Sequence, residues 1–188
     1  MKLLTLALSL LLSSCSGAGL GEPVPGYPDA QYAIGDCEGA WSVDAISLGI
    51  WAFAASWDER FGFNNAVSYS LGHLHIRCVP EDWYSEYWNA DIAGLTKQGE
   101  TLVAMKAKAS GKCRTLPQSA FLHELTHTAL NACCGNGDAD HAMGTEYGTT
   151  WTEETDAFLA DVTVRLQDLL DEVGTFEPDD DGTCYRIE

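Results

Sequence analysis

Residues 117–133, PQSAFLHELTHTALNAC, decide how this chain is read. Apolar residues recur at Phe121, Leu122, Leu125, Ala129 and Leu130, the three-and-four spacing of a helix with one buried face. Pro117 suits the first turn, where its missing N–H costs nothing, and Gly135 suits a left-handed cap just past the end. Inside the helix stands His123-Glu124-Leu125-Thr126-His127. Four residues advance about 400° around a helix, so His123 and His127 project from one face, a turn apart. Two imidazoles so placed can bind one zinc ion. Glu124, about 100° around, faces a water on that ion rather than the ion itself. Zinc brings such a water to a pKa of about 7, and the carboxylate takes its proton. His123 and His127 are thus expected metal ligands and Glu124 the expected general base.

A catalytic zinc generally has three protein ligands and one open position. Two sources for the third are available. One is His141, in Asp138-Ala139-Asp140-His141, within a Gly-rich loop that can turn the chain back. The other is a carboxylate at the start of the following helix, Glu153, Glu154 or Asp156, of which Glu154 is the main alternative. Those acids also have a purely structural reading, since acids in a first turn complement the helix dipole. Asp138 and Asp140 suit orienting a ligand histidine from behind. They do not form a calcium loop: sixth and twelfth from Asn136 stand His141 and Tyr147, where Gly and Glu belong. Tyr147 is the candidate to stabilise an oxyanion. His73 and His75 alternate and would share a strand face, without a clear partner.

Other elements follow from the same patterning. Residues 42–60 have helical spacing, with Ser42 as N-cap and Gly62 as stop, and Trp41, Trp51 and Trp57 are expected in the core. A strand is expected near 73–79, another over Thr101–Ala107, and a long helix over Glu153–Val173. Residues 81–91 are aromatic and ambiguous. The acidic tail 177–183 reads as irregular. The expected fold class is α+β, a small, partly antiparallel sheet packed on the 117–133 helix and the long C-terminal helix.

Asp and Glu total 28 against 10 Lys and Arg, a net charge of -18, which argues against nucleic acid as a partner. No apolar run approaches the roughly 20 residues of a bilayer span. Lys2 followed by the apolar run Leu3–Leu12 is instead a leader. Its end, Leu12-Ser13-Ser14-Cys15, resembles a bacterial lipobox, which implies lipidation at Cys15. The expected organisation is a signal peptide over 1–14, lipidated Cys15 and a flexible tether over 15–29, and one domain over 30–188. That makes the chain exported and lipid-anchored. By resemblance to bacterial lipoprotein sorting, Ser16 favours the outer membrane of a two-membrane cell. Six further cysteines suit three disulfides, the adjacent Cys133 and Cys134 each with its own distant partner.

The chain resembles a zincin metallopeptidase. It is similar to small bacterial lipoproteins with His-Glu-x-x-His, then Asp-x-x-His, then Trp, here His123 to His127, Asp138 to His141, and Trp151. The likeness covers about residues 100–165. It implies a zincin-like fold, His141 as third ligand, and a peptide substrate lying along an edge strand, for which Thr101–Ala107 is the candidate. It departs from the metzincin pattern at Leu130 and Cys133, where Gly and His would stand. The function implied is zinc-dependent endopeptidase-type hydrolysis of a peptide or protein. The competing expectation is an inactive or structural-zinc lipoprotein that binds a partner protein. Intact-mass analysis of membrane-extracted protein should find Cys15 as an acylated first residue; an unmodified Cys15 would remove the anchor.

Overall fold

The structure is a computed structural model that describes residues 21–33, 42–79, 94–96, 102–106, 108–110, 113–115, 118–135, 151–172, 176–178 and 184–186. Its elements in chain order are β1 (Glu22–Val24), β2 (Tyr27–Ala33), α1 (Val43–Phe61), α2 (Asn65–Gly72), β3 (His75–Val79), β4 (Gly94–Thr96), β5 (Leu102–Lys106), β6 (Lys108–Ser110), β7 (Cys113–Thr115), α3 (Gln118–Cys134), α4 (Glu153–Glu172), β8 (Phe176–Pro178) and β9 (Cys184–Arg186). The chain is α+β, as expected. Among the described residues no helix is long and apolar enough to cross a membrane.

Five strands form one sheet in the order β1-β2-β3-β5-β4. Its centre is parallel, β2 to β3 and β3 to β5, and both borders are antiparallel, β1 to β2 and β4 to β5. One transverse row runs Tyr32, Ile76, Val103, Thr96. β5 therefore lies inside the sheet, between β3 and β4. Of the strand expected at the edge over Thr101–Ala107, the described part, Leu102–Lys106, is internal, and among the described strands Gly94–Thr96 forms the border on that side.

The sheet begins earlier than the sequence suggested. Glu22 to Pro28, expected within the tether, is strand and turn, and Val24 is buried. Pro25-Gly26 is the reason: Pro fixes one central position of the turn, and Gly26, at φ 79°, supplies the left-handed one. Ser47 Oγ on α1 donates to the Pro25 carbonyl at 2.6 Å and holds the turn down. Residues 1–20, Cys15 among them, lie outside the described residues.

Ser42 caps α1, its hydroxyl accepting from the Ala45 N–H, and Gly62 at φ 83° ends it. Ile46, Ile50, Phe53 and Trp57 form its buried side. Trp51, expected in the core, is 47% exposed and lies beneath the Arg165 guanidinium, 5.4 Å from the ring centroid. α1 carries apolar residues on most of its circumference, so composition did not say which tryptophan faces outward. Trp41 lies outside the described residues.

Residues 65–72, just ahead of the strand expected near 73–79, are helical. Asn64 caps α2 by accepting from the Ala66 and Val67 N–H groups, and Val67 and Leu71, four apart, are the buried pair. β3 starts only at His75. His73 sits at the C-cap of α2, bonded to the Tyr69 carbonyl and stacked on the Tyr69 ring, while His75 is exposed on β3. The two histidines thus belong to different elements and share no face. Residues 81–91 lie outside the described residues. The tail contains β8 and β9, paired antiparallel, so Phe176–Pro178 is strand rather than irregular.

α3 is buried among α1, α2, α4 and the β4 end of the sheet. At Gly49 a side chain would have no room: a Cβ there would lie 2.6 Å from the Phe121 ring. α1 and α3 touch at that point because Gly49 has no side chain. α4 lies across both, and Phe158 meets Phe53, Trp57 and Phe61 edge-on. Arg60 to Asp161 and Arg165 to Glu59 clip its exposed flank to α1. Gly135, at φ 73°, ends α3 as expected. Among the described residues the sulfurs of Cys133 and Cys134 come to bonding distance of each other, and Cys78 is also disulfide-bonded. Overpacking a full core costs about 1–3 kcal/mol, so Gly49→Leu should lower the thermal midpoint by several degrees. An unchanged melt would show that α1 and α3 do not meet there.

Candidate metal centre

His123, Glu124 and His127 come together as the spacing predicted. The two imidazoles meet edge to face, with centroids 4.8 Å apart and planes at 81°, and their Nε2 atoms are 3.2 Å apart. That separation has a chemical meaning. Two nitrogens at about 2.0–2.1 Å from one tetrahedral zinc stand about 3.3 Å apart. The pair is thus already set at the spacing a shared metal requires, and His127 is buried. Among the described residues no third His, Cys, Asp or Glu completes a metal-holding group.

Glu124 lies beside this pair, 5% exposed. Its Oε2 has no hydrogen-bond partner. Burial pushes its carboxyl up to about 7, and hydrogen bonds from Thr96 pull the other way. Border strand β4 makes this arrangement possible. Thr96 Oγ1 donates to the Glu124 carbonyl at 3.0 Å, tying β4 to α3. A Cβ on Gly94 would come within 2.7 Å of Glu124 Oε1 and 2.9 Å of its Cγ. Any side chain at 94 would displace the carboxylate. On α3, Thr126 Oγ1 bonds back to the Leu122 carbonyl and Thr128 Oγ1 to the Glu124 carbonyl, so both buried hydroxyls are satisfied within the helix.

Trp151, just before α4, closes the other side. It is buried, its ring centroid 4.9 Å from that of His123 and 5.0 Å from that of His127. Its Nε1–H donates to Asp156 Oδ1 at 2.7 Å. Thr152 starts α4: its hydroxyl accepts from the Thr155 N–H, and Thr155 Oγ1 accepts from the Thr152 N–H, a reciprocal cap.

The acids proposed as an alternative third ligand are occupied elsewhere. Glu154 is largely exposed and turned to Arg60, 3.7 Å away. Glu153 is exposed, and Asp156 holds the indole. Their first-turn position is the structural one, at the positive end of the helix dipole. His141, Tyr147, Asp138 and Asp140 lie outside the described residues.

Gly94, Thr96 and the indole-binding role of Asp156 had no signal in the sequence. Three residues of β4 are too few to show a period, and the Thr96 bond spans 28 residues of chain.

Comparisons with protein-family models, with curated proteins and with solved structures find no match.

The raised Glu124 carboxyl makes stability depend on pH in metal-free protein. The folded state holds its proton up to about pH 7 and the unfolded chain only to about 4.5. This contribution is complete below about pH 4.5 and is lost as pH rises through about 7. The difference corresponds to about 3 kcal/mol. Urea titrations of chelator-treated protein between pH 4 and 8 should show that fall, and Glu124→Gln should remove it. An equal slope in both would place the titrating group elsewhere.

Proposed function

We propose that the chain is a zinc-dependent peptidase of zincin type, held at a bacterial envelope membrane by lipid on Cys15. The observation that carries this reading is the pairing of two convergent Nε2 atoms with a buried carboxylate that keeps one oxygen unpartnered. A zinc ion fits these residues: the spacing of the imidazole nitrogens suits it, and a positive ion offsets the cost of a buried carboxylate. His123 and His127 would hold the ion, with His141 the proposed third ligand. When bound, zinc supplies a Lewis acid that polarises the scissile carbonyl and acidifies water.

Glu124 does the proton work. Its free Oε2 accepts a proton from the attacking water and delivers it to the leaving amine nitrogen. Burial raises the Glu124 carboxyl and a cation beside it would lower it again, so the carboxylate is available as a base in the loaded site. Gly94 and Thr96 keep the carboxylate in place during the transfer. The substrate is a peptide or protein in extended form. Border strand β4 is the proposed docking edge: it ends the described sheet next to Glu124, so strand pairing on that edge would bring a scissile bond beside the base. Tyr147 is the proposed oxyanion donor.

The competing reading, a binding module with a structural metal, has no use for an unpartnered carboxylate oxygen in the site. It would favour a fourth protein ligand in place of an open position.

The test is zinc stoichiometry on the full-length protein, followed by a peptide-library cleavage screen. One zinc per chain is expected. It should be lost in His123→Ala, His127→Ala and His141→Ala, and kept in Glu154→Ala. Glu124→Gln should keep the metal and lose at least about a hundredfold in turnover. A Glu124→Gln protein as active as wild type would end the peptidase mechanism. Zinc retained in His141→Ala would reassign the third ligand.

A further inference from the structure

The indole of Trp151 sits at nearly equal distance from both imidazoles, 4.9 and 5.0 Å, and is tilted to them by 43° and 45°. It is thus a wall shared by both rings. Each imidazole is flanked by the indole and by the other imidazole. The indole is itself held. Its only polar atom, Nε1, donates to Asp156 Oδ1 at 2.7 Å. Trp151 and Asp156 flank the Thr152 cap at the two positions where a hydrophobic contact commonly fixes the entry of a chain into a helix. Here a hydrogen bond takes that place. It is directional, and it fixes the plane of the indole as well as the path of the backbone.

We propose that Trp151 and Asp156 are positioning residues for the metal ligands: α4 sets the orientation of His123 and His127 through an indole whose N–H is anchored on a carboxylate. This rests on the zinc reading above. A ligand imidazole is generally oriented by a hydrogen bond at its second nitrogen. The shared wall adds a second restraint and lowers the ordering cost of bringing two nitrogens to one ion. Trp151 touches no reacting atom in this scheme, and its effect is on affinity and ligand geometry.

The test uses full-length protein stripped of metal. Zinc affinity is read by competition with a chromogenic chelator, and ligand geometry by the visible spectrum of the cobalt(II)-substituted protein. Trp151→Phe, which keeps a ring but loses the N–H, and Asp156→Ala should each weaken zinc binding by about 10- to 100-fold. Both should shift or broaden the cobalt bands. Asp156→Asn keeps an oxygen that accepts from the indole and should stay close to wild type. Asp161→Ala, which removes an exposed acid of α4, should change neither. Unaltered affinity and spectra in Trp151→Phe and Asp156→Ala would overturn the proposal while leaving the zinc reading intact. Asp156→Asn as weak as Asp156→Ala would also overturn it, assigning the effect to charge. A wild-type protein that binds no zinc would remove the zinc reading, and this inference with it. Metal-free melting curves separate any loss of fold: the affinity and the spectrum are read on variants that melt cooperatively.

Discussion

Placing the Glu124 carboxylate inside the core is the costly act on which the rest depends. A buried polar group without a partner costs several kcal/mol against water, and an ionised one far more. Here one oxygen is left bare, on a helix whose Phe121, Leu122 and Leu125 are also fully buried. A chain would ordinarily escape by turning such a side chain to solvent. It cannot do so on α3, because the helix is covered by α1, α2 and α4 and bordered by β4. The apolar contacts that bury α3 therefore also confine the carboxylate. The tight crossing at Gly49 and the bare backbone at Gly94 are two places where that confinement needs the absence of a side chain.

The sheet contributes in a different way. Its parallel centre fixes β5, and β5 fixes the antiparallel β4 at the border. β4 then meets α3 through one hydroxyl and one glycine. Strand pairing several residues away thus reaches the site through a short piece of backbone. The aromatic group of Phe53, Trp57, Phe61 and Phe158 does the same for the other side, since it seats α4, and α4 begins immediately after Trp151.

What the sequence disclosed was local. α1 with its caps, α3, α4 and the heart of β5 could be read because periodicity and capping act within a few turns. His123, Glu124 and His127 were legible for the same reason: one helical turn relates them. α2 was hidden because Val67, Tyr69 and Leu71 mimic a period of two, although only the pair four apart is buried. The β1–β2 hairpin was hidden by composition, since a Pro-Gly turn looks like the rest of a Gly/Pro-rich tether. β4 was hidden by brevity. Gly94 and Thr96 matter only because β4 pairs with β5 and then lies against α3. No spacing along the chain could announce that. Asp156 was visible as a first-turn acid, but its bond to Trp151 depends on which way the indole turns.

The clips between α1 and α4 join residues about a hundred positions apart in the chain: 101 for Arg60 and Asp161, 106 for Arg165 and Glu59. This separation governs when the site can exist. A polypeptide emerging from the ribosome presents His123 and His127 before the segment that brings Trp151 and α4. Until that segment has followed, α1 has no partner for its aromatic face and the imidazoles lack their wall. Contacts of such long range also form late in folding, because the loop between them must close first. The site is thus completed only when the chain has been made through α4. An incomplete chain has the motif but not the assembled site, because the indole and the helix that seats it come last in the order of synthesis.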